Sequence, residues 1–419
     1  QLTQAQIQTT DYGNFHADKP VAITYQNKLV SANISAHCWQ HNQLNLCFPT
    51  AFTAGQEGKV PFELRRFDLA FVQQFLDKSS QITGLVNAKG EAAWFKNKAP
   101  VVDVTLNSES LKFVQKMEGG SAFPLTISPL KATVKLADNN LNLKTDLKLE
   151  NNGRIATDLV MKDLSKTRGL SGTVNIDQIS LKLIKPLLTG GERVDGLINA
   201  RLTLGGSATA PLLHGRLGLS ELRVKSATMP FDVTGGNVDL NFNGTSSTLN
   251  GRVQTTESEL FLTGNANWQD LSAWRTEVHA KANRFRVNVP NIAKVEFSPD
   301  ISVTATPKEL ILGGVIDIPW ARIEVEELPE SAVGVSSDEV IMDGSAKTKV
   351  PFSQRQLPEQ TSSGMAIKSD LRINIGDDVS LNAYGLKTHL NGTIAVRQGK
   401  QGLGLYGQVN LLKGRFASF

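Results

Sequence analysis

Apolar and polar residues alternate with a period of two along most of this chain, and no other sequence feature limits its fold as strongly. Leu141, Leu143, Leu147 and Leu149 share parity, with Asn, Lys and Asp between them. Phe285, Val287 and Val289 alternate with Arg284, Arg286 and Asn288. Leu371, Ile373 and Ile375 alternate with Arg372 and Asn374, and Leu403, Leu405, Val409 and Leu411 continue the pattern near the end. Successive side chains of a strand point to opposite faces, so each run predicts a strand with one apolar and one wet face. Turn signals separate the runs: Asp138-Asn139-Asn140, Asn151-Asn152-Gly153, Gly235-Gly236-Asn237, Asn243-Gly244, Asn250-Gly251 and Asn391-Gly392. These residues supply the positive φ that tight reversals need. Asn-Gly-Thr at 243 and 391 also matches a glycosylation sequon, but a hairpin turn is the simpler reading.

Two segments break the alternation. Asp68-LAFVQQFL-Asp77 and Ser180-LKLIKPLL-Thr189 space their apolar residues as a short helix does, with Pro186 limiting the second. They head an internal repeat. Residues 67–88 and 179–200 align without a gap at an offset of 112, with Leu69/Leu181, Leu76/Leu188, Gly84/Gly196, Leu85/Leu197, Asn87/Asn199 and Ala88/Ala200 identical. A helix followed by strands, repeated, predicts units that stack and bury their apolar faces against their neighbours. The expected segments are 1–66, the repeats 67–178 and 179–318, an acidic Pro-containing loop at 319–362, and closing strands at 363–419.

The two cysteines lie in CWQHNQLNLC, whose alternation and HNQ turn read as a hairpin. A Cys38–Cys47 disulfide would close a short loop, a constraint of roughly 2.5–3 kcal/mol, and would place the chain in an oxidising compartment. Two buried free thiols are the alternative. His37 and His41 do not share a metal, because residues four apart on a strand are separated by roughly 13 Å.

No catalytic constellation emerges. The six histidines fall in no ligand spacing, and neither a GxSxG elbow nor a phosphate loop is present. Gly376-Asp377-Asp378 reads as a plain turn rather than a calcium loop. An enzyme is not expected, and no cofactor is implied. Lys+Arg 44 against Asp+Glu 40 leaves +4, which argues against nucleic acid as a partner. No apolar run reaches the ~18–20 residues of a membrane span. Gln1 in place of Met is expected of a piece of a longer or processed chain.

The alternating strands must put their apolar rows somewhere. Two facing sheets make a sandwich. A single curved sheet makes a trough with an apolar interior, exposing more than the few hundred Å² normal for a monomer unless it holds a cargo. At ~10–12 residues per strand and turn, the length predicts about 35–40 strands and, at ~4.8 Å each, a stack of roughly 170–190 Å. Leu, Val, Ile and Phe with few large aromatics form a non-directional lining suited to acyl chains, at ~0.8 kcal/mol per buried CH₂.

Three stretches carry a family resemblance: the paired FDLAFVQQFL…ITGLVNAKG and ISLKLIKPLL…VDGLINARL, the segment IDIPWARIEVEELPESAVGVSSDEV at 316–340, and LLKGRFASF at 411–419. Pro319-Trp320-Ala321-Arg322 followed by acidic residues is the most specific of these. The chain resembles the TamB family, the inner-membrane components of bacterial translocation and assembly modules within the AsmA-like superfamily of bridge-like lipid transfer proteins. The resemblance implies an all-β fold with a few short helices, an elongated β-taco with an apolar interior. It implies a place in the periplasm of a diderm bacterium, the full-length protein being anchored in the inner membrane, and phospholipid transfer between the two membranes. The outer-membrane barrel TamA is the implied partner, met through the family's C-terminal domain; that domain and the N-terminal membrane anchor are expected to lie outside this sequence. Groove-lining residues are then expected to be Leu141, Leu143, Leu147, Leu149, Phe285, Val287, Val289, Leu371, Ile373, Ile375, Leu403, Leu405 and Val409. An assembly role for nascent outer-membrane β-barrel proteins, by strand addition at an open sheet edge, is the alternative.

Overall fold

In a computed structural model, the protein is described over residues 2–117, 121–150, 153–188, 190–227, 229–325, 366–399 and 402–417. Among these residues there are 27 strands and two short 3₁₀ helices. The strands form curved, mixed β-sheet, in agreement with the all-β fold expected from the alternation. Several of the expected turn signals lie inside strands. Asn250-Gly251 is in the middle of one strand and Asn391-Gly392 in the middle of another, while Gly235-Gly236-Asn237 opens a third. Gly392 is required by close backbone approach instead: it has φ +147°, and a Cβ there would lie 2.0 Å from the carbonyl oxygen of Gln408. Gly376-Asp377-Asp378 is likewise no turn, but a bulge within a strand.

The chain divides into two compact units, Gln1–Ser220 with Asn241–Thr245, and Glu221–Leu240 with Ser246–Phe419. The first unit begins with short strands: β1 (Gln6–Thr9), β2 (Gly13–Ala17), β3 (Ile23–Gln26), β4 (Ser31–Ile34), β5 (His37–Gln40), β6 (Asn45–Phe48) and β7 (Phe52–Gly55). Cys38 in β5 stands directly opposite Cys47 in β6, and the two are joined by a disulfide. Longer strands follow: β8 (Gly58–Asp68), β9 (Ser80–Trp94), β10 (Val101–Ser108), β11 (Leu111–Lys116), β12 (Ala122–Ala137), β13 (Asn140–Leu149), β14 (Arg154–Lys162), β15 (Gly169–Ser180) and β16 (Arg193–Gly206).

The two expected helices are 3₁₀ turns, Leu69–Phe75 and Leu181–Leu187. At seven residues each they are too short to gain from α-helical propagation, and each starts on a side-chain cap, Asp68 Oδ1 to the Ala70 N–H and Ser180 Oγ to the Lys182 N–H. The repeat extends to backbone detail. A register shift precedes each helix, between Leu64 and Phe67 and between Ile176 and Ile179. Arg66 and Gln178, the residues within the shifts, have φ of 50° and 49°. The N–H of each is accepted at 2.9 Å by an asparagine of the next strand, Asn87 or Asn199. The asparagine shared by both copies therefore holds a bulge in place.

The second unit contains β19 (Ser246–Gln254), β20 (Glu259–Asn267), β21 (Arg275–Lys281), β22 (Phe285–Val289), β23 (Ala293–Ala305), β24 (Glu309–Val325), β25 (Ala366–Ala383), β26 (Leu386–Gly399) and β27 (Gly402–Phe416). Strands β17 (Pro211–Lys225) and β18 (Gly235–Gly244) are shared between the two units. β24 and β25 run parallel, whereas β19–β20, β20–β21, β21–β23, β22–β23, β23–β24, β25–β26 and β26–β27 are antiparallel. Pro319–Val325, expected in the loop, complete β24 instead, and the remainder of that segment lies outside the described residues.

Candidate functional site

In the first unit, residues of like parity line up across strands. One row runs Phe62, Gly90, Val104, Val134, Leu143, Leu159, Gly172 and Leu204, one residue from each of β8, β9, β10, β12, β13, β14, β15 and β16. Seven interstrand spacings of ~4.8 Å give this row a length of roughly 34 Å. A parallel row passes through Val60, Ala92, Val102, Leu136, Leu141, Met161 and Leu170. Another contains Leu130, Leu147, Ile155, Ile176 and Ala200. Between them Thr145 and Thr157 stand opposite each other, and their hydroxyls bond at 2.6 Å among apolar neighbours. The second helix lies at one end of this face, with Leu181 Cδ1 2.9 Å from where a Gly196 Cβ would be.

The opposite face is charged. Lys135 stands across from Asp103 at 3.9 Å, Lys144 from Asp158 at 3.7 Å, and Lys59 Nζ reaches Glu91 at 3.0 Å. Such exposed pairs contribute about 0–1 kcal/mol each. They identify the solvent face and disfavour a one-residue slip, which would turn the leucines outward.

The second unit repeats the arrangement. One row runs Gly251, Leu262, Ala280, Ile301, Gly314, Leu371, Val396 and Leu405. Others contain Ile316, Ile373 and Ile394; Ile318, Ile375, Gly392 and Val409; and Val287, Val295, Ala321, Val379, Leu390 and Leu411. The rows pass through buried hydroxyls that periodicity did not single out. Ser369 donates to the Val396 carbonyl at 2.9 Å and Thr388 to that of Leu412 at 3.0 Å.

The residues expected to line the groove lie in different surroundings. Leu141, Leu143, Leu147, Val289, Ile373, Ile375 and Leu403 are half-buried, and Leu149 and Leu371 are buried. Phe285 and Val287 are buried in a closed cluster. Leu405 and Val409 are 68% and 45% exposed on β27, and Leu403 faces Gln398 rather than an apolar partner. Half-burial along the central rows is what an unsealed apolar face produces, since a facing sheet would exclude solvent from them.

The Pro-Trp-Ala-Arg segment has a structural role. The β24–β25 register shifts between Ile318 and Trp320, so Pro319, which has no N–H, occupies the irregular position. Ala321 is buried, and Arg322 bonds the Asp378 carboxylate at 2.7 Å and the Asp378 carbonyl at 2.9 Å while lying 4.9 Å from the Trp320 ring. The segment holds the parallel pair together across the bulge.

Residues 1–219 match the family model "TamB, N-terminal domain", and residues 247–419 match "TamB C-terminal domain". The chain belongs to the TamB family. The boundary between the two matches falls where the two structural units divide. The chain therefore includes sequence assigned to a C-terminal family domain, which narrows the expectation that such a domain lies wholly outside it. The chain is 44% identical over 410 residues to the translocation and assembly module subunit TamB of Haemophilus influenzae, covering 98% of this chain and 31% of that protein. It thus spans about a third of the length of this relative. No solved structure matches. Among the described residues, no helix is long and apolar enough to cross a membrane.

A buried carboxylate stabilises the second unit from its charged face. Glu296 accepts from Arg284 Nε at 2.6 Å and from Arg286 at 2.5 Å, and these guanidinium bonds hold its carboxyl below the usual carboxylate range. A lowered folded pKa contributes stability in full above the ordinary glutamate range, and that contribution is lost as pH falls through the lowered value. Glu296→Gln is expected to lower the thermal midpoint by a few degrees at neutral pH and by nothing at strongly acid pH. Melting curves across that range test this, and a difference independent of pH would refute it.

Proposed function

We propose that the apolar rows hold phospholipid acyl chains, and that the full-length protein is a periplasmic β-taco conduit carrying phospholipids between the inner and outer membranes as a translocation and assembly module subunit. The observation supporting this reading is the unbroken, half-exposed apolar row across eight strands of the first unit. An acyl chain gains ~0.8 kcal/mol per buried CH₂ on such a surface without any directional contact, so a uniform lining suits movement better than a pocket does. Head groups remain in water along the open side. Anchoring in the inner membrane and partnership with TamA belong to the full-length protein.

The second reading is assembly of outer-membrane β-barrel proteins by strand addition. It requires an open sheet edge to which a nascent strand can add. A long, exposed apolar strand is a template for another. Photo-crosslinking separates the two. With benzoylphenylalanine at Leu143 or Leu405, the conduit yields phospholipid adducts at both positions. Polypeptide adducts at Leu405 with no lipid at Leu143 would replace the conduit by the assembly factor.

A further inference from the structure

The hydroxyls on the apolar rows are not equivalent. Ser108, Ser369 and Thr388 are buried, and each donates to a backbone carbonyl, of Leu85 at 2.6 Å, Val396 at 2.9 Å and Leu412 at 3.0 Å respectively. Thr145 and Thr157 differ. Both are half-buried, and among the described residues the hydroxyl of each has only the other as partner. A hydroxyl has one proton to give. Whichever threonine donates across the strands, the other keeps a proton that no group among the described residues accepts. The pair interrupts a row that is otherwise aliphatic, with Leu64, Ala88, Leu106 and Ala132 on one side and Val174 and Leu202 on the other. Ala132, directly beside Thr145, ends in a single methyl group and leaves the hydroxyls reachable.

We propose that Thr145 and Thr157 form a binding site for the ester carbonyl of an acyl lipid, whose tail runs from there along the aliphatic row toward β8. The inference rests on the lipid reading above. Water accepts the spare proton while the row is empty. A hydrocarbon chain laid across the pair excludes that water and leaves a donor unpaired, which costs more than an ordinary hydrogen bond contributes. A lipid avoids this cost by bringing an acceptor to that point, and the acceptor an acyl lipid carries where its hydrocarbon begins is the ester carbonyl oxygen. From Thr145 to Leu64 the row crosses from β13 over β12, β10 and β9 to β8. Those spacings total roughly 19 Å, more than half of the roughly 30 Å hydrocarbon core of a bilayer. One tail, which fills half of that core, therefore fits on the aliphatic side of the pair.

The test sets diester phosphatidylglycerol against the dialkyl ether of the same head group and chain length, which has no ester carbonyl. The chain carries benzoylphenylalanine at Leu106, on the tail side of the row, or at Ile373 in the second unit as reference. It is mixed with vesicles holding equal amounts of the two lipids, and adducts are read by mass spectrometry. One neutral hydrogen bond predicts a diester-to-ether ratio at Leu106 about fivefold above that at Ile373. Thr145→Val combined with Thr157→Val keeps the branched shape, removes both hydroxyls, and is expected to bring the Leu106 ratio down to the Ile373 value. Equal ratios at the two positions before any threonine change overturn the site and leave the lipid reading standing, and this comparison decides the matter even when the double variant does not fold. A preference at Leu106 that survives in a cooperatively melting double variant also overturns it. Absence of lipid adducts at both positions instead removes the lipid reading, and the site with it.

Discussion

Leu143→Arg is expected to leave the protein folded and to strip bound phospholipid from the first unit. Leu143 lies mid-row between Val134 and Leu159 and is half-buried, so its loss costs about 1–2 kcal/mol of packing, and the guanidinium finds water on the unsealed face. For a lipid tail the change is larger. Losing contact with two methylenes forfeits ~1.6 kcal/mol, which is more than tenfold in occupancy, before the cost of setting hydrocarbon against a charge. Circular dichroism and the thermal midpoint report the fold, and phospholipid extracted from the purified protein reports the cargo. A folded variant with undiminished phospholipid would show that this row does not hold lipid.

Gly172→Val should do the reverse, although Gly172 lies only two strands away in the same row. It has φ +134°, a region L side chains rarely adopt, and a Cβ there would lie 2.1 Å from the Asp158 carbonyl oxygen and 2.8 Å from the Leu159 Cα. Both obstacles are backbone, so β14 and β15 must separate. Strain and lost ladder bonds together place the cost above about 4 kcal/mol, at the severe end for single substitutions. Urea denaturation followed by circular dichroism measures it. A midpoint within experimental error of the unaltered protein would mean the two strands part without penalty. Side by side, the pair separates the proposed lipid role of the row from its part in the fold.

Much of this arrangement was legible in the residues. Alternation at Leu141–Leu149 and Leu371–Ile375 identified the strands and their apolar faces, and the 112-residue offset located both helices. The spacing of Cys38 and Cys47 matched a hairpin, and the two face each other in β5 and β6. Other signals misled for physical reasons. Asn-Gly at 250 and 391 has the chemistry of a turn, but a glycine that lets two backbones approach looks the same in sequence. The parallel β24–β25 pair was not visible, because alternation carries no strand direction. The buried hydroxyls of Ser369 and Thr388 interrupt an apolar pattern and make sense only through carbonyls on neighbouring strands.

The sequence by itself determined the face each side chain occupies, because a strand's two-residue period is local covalent geometry. Only the tertiary structure decided which of those side chains join into rows and which are covered. Bulges at Arg66, Gln178 and Pro319 reset the register by one strand's local irregularity, and Phe231 packs against Phe285 from a distant part of the chain. Both depend on partners far away in sequence, which a periodic pattern does not encode.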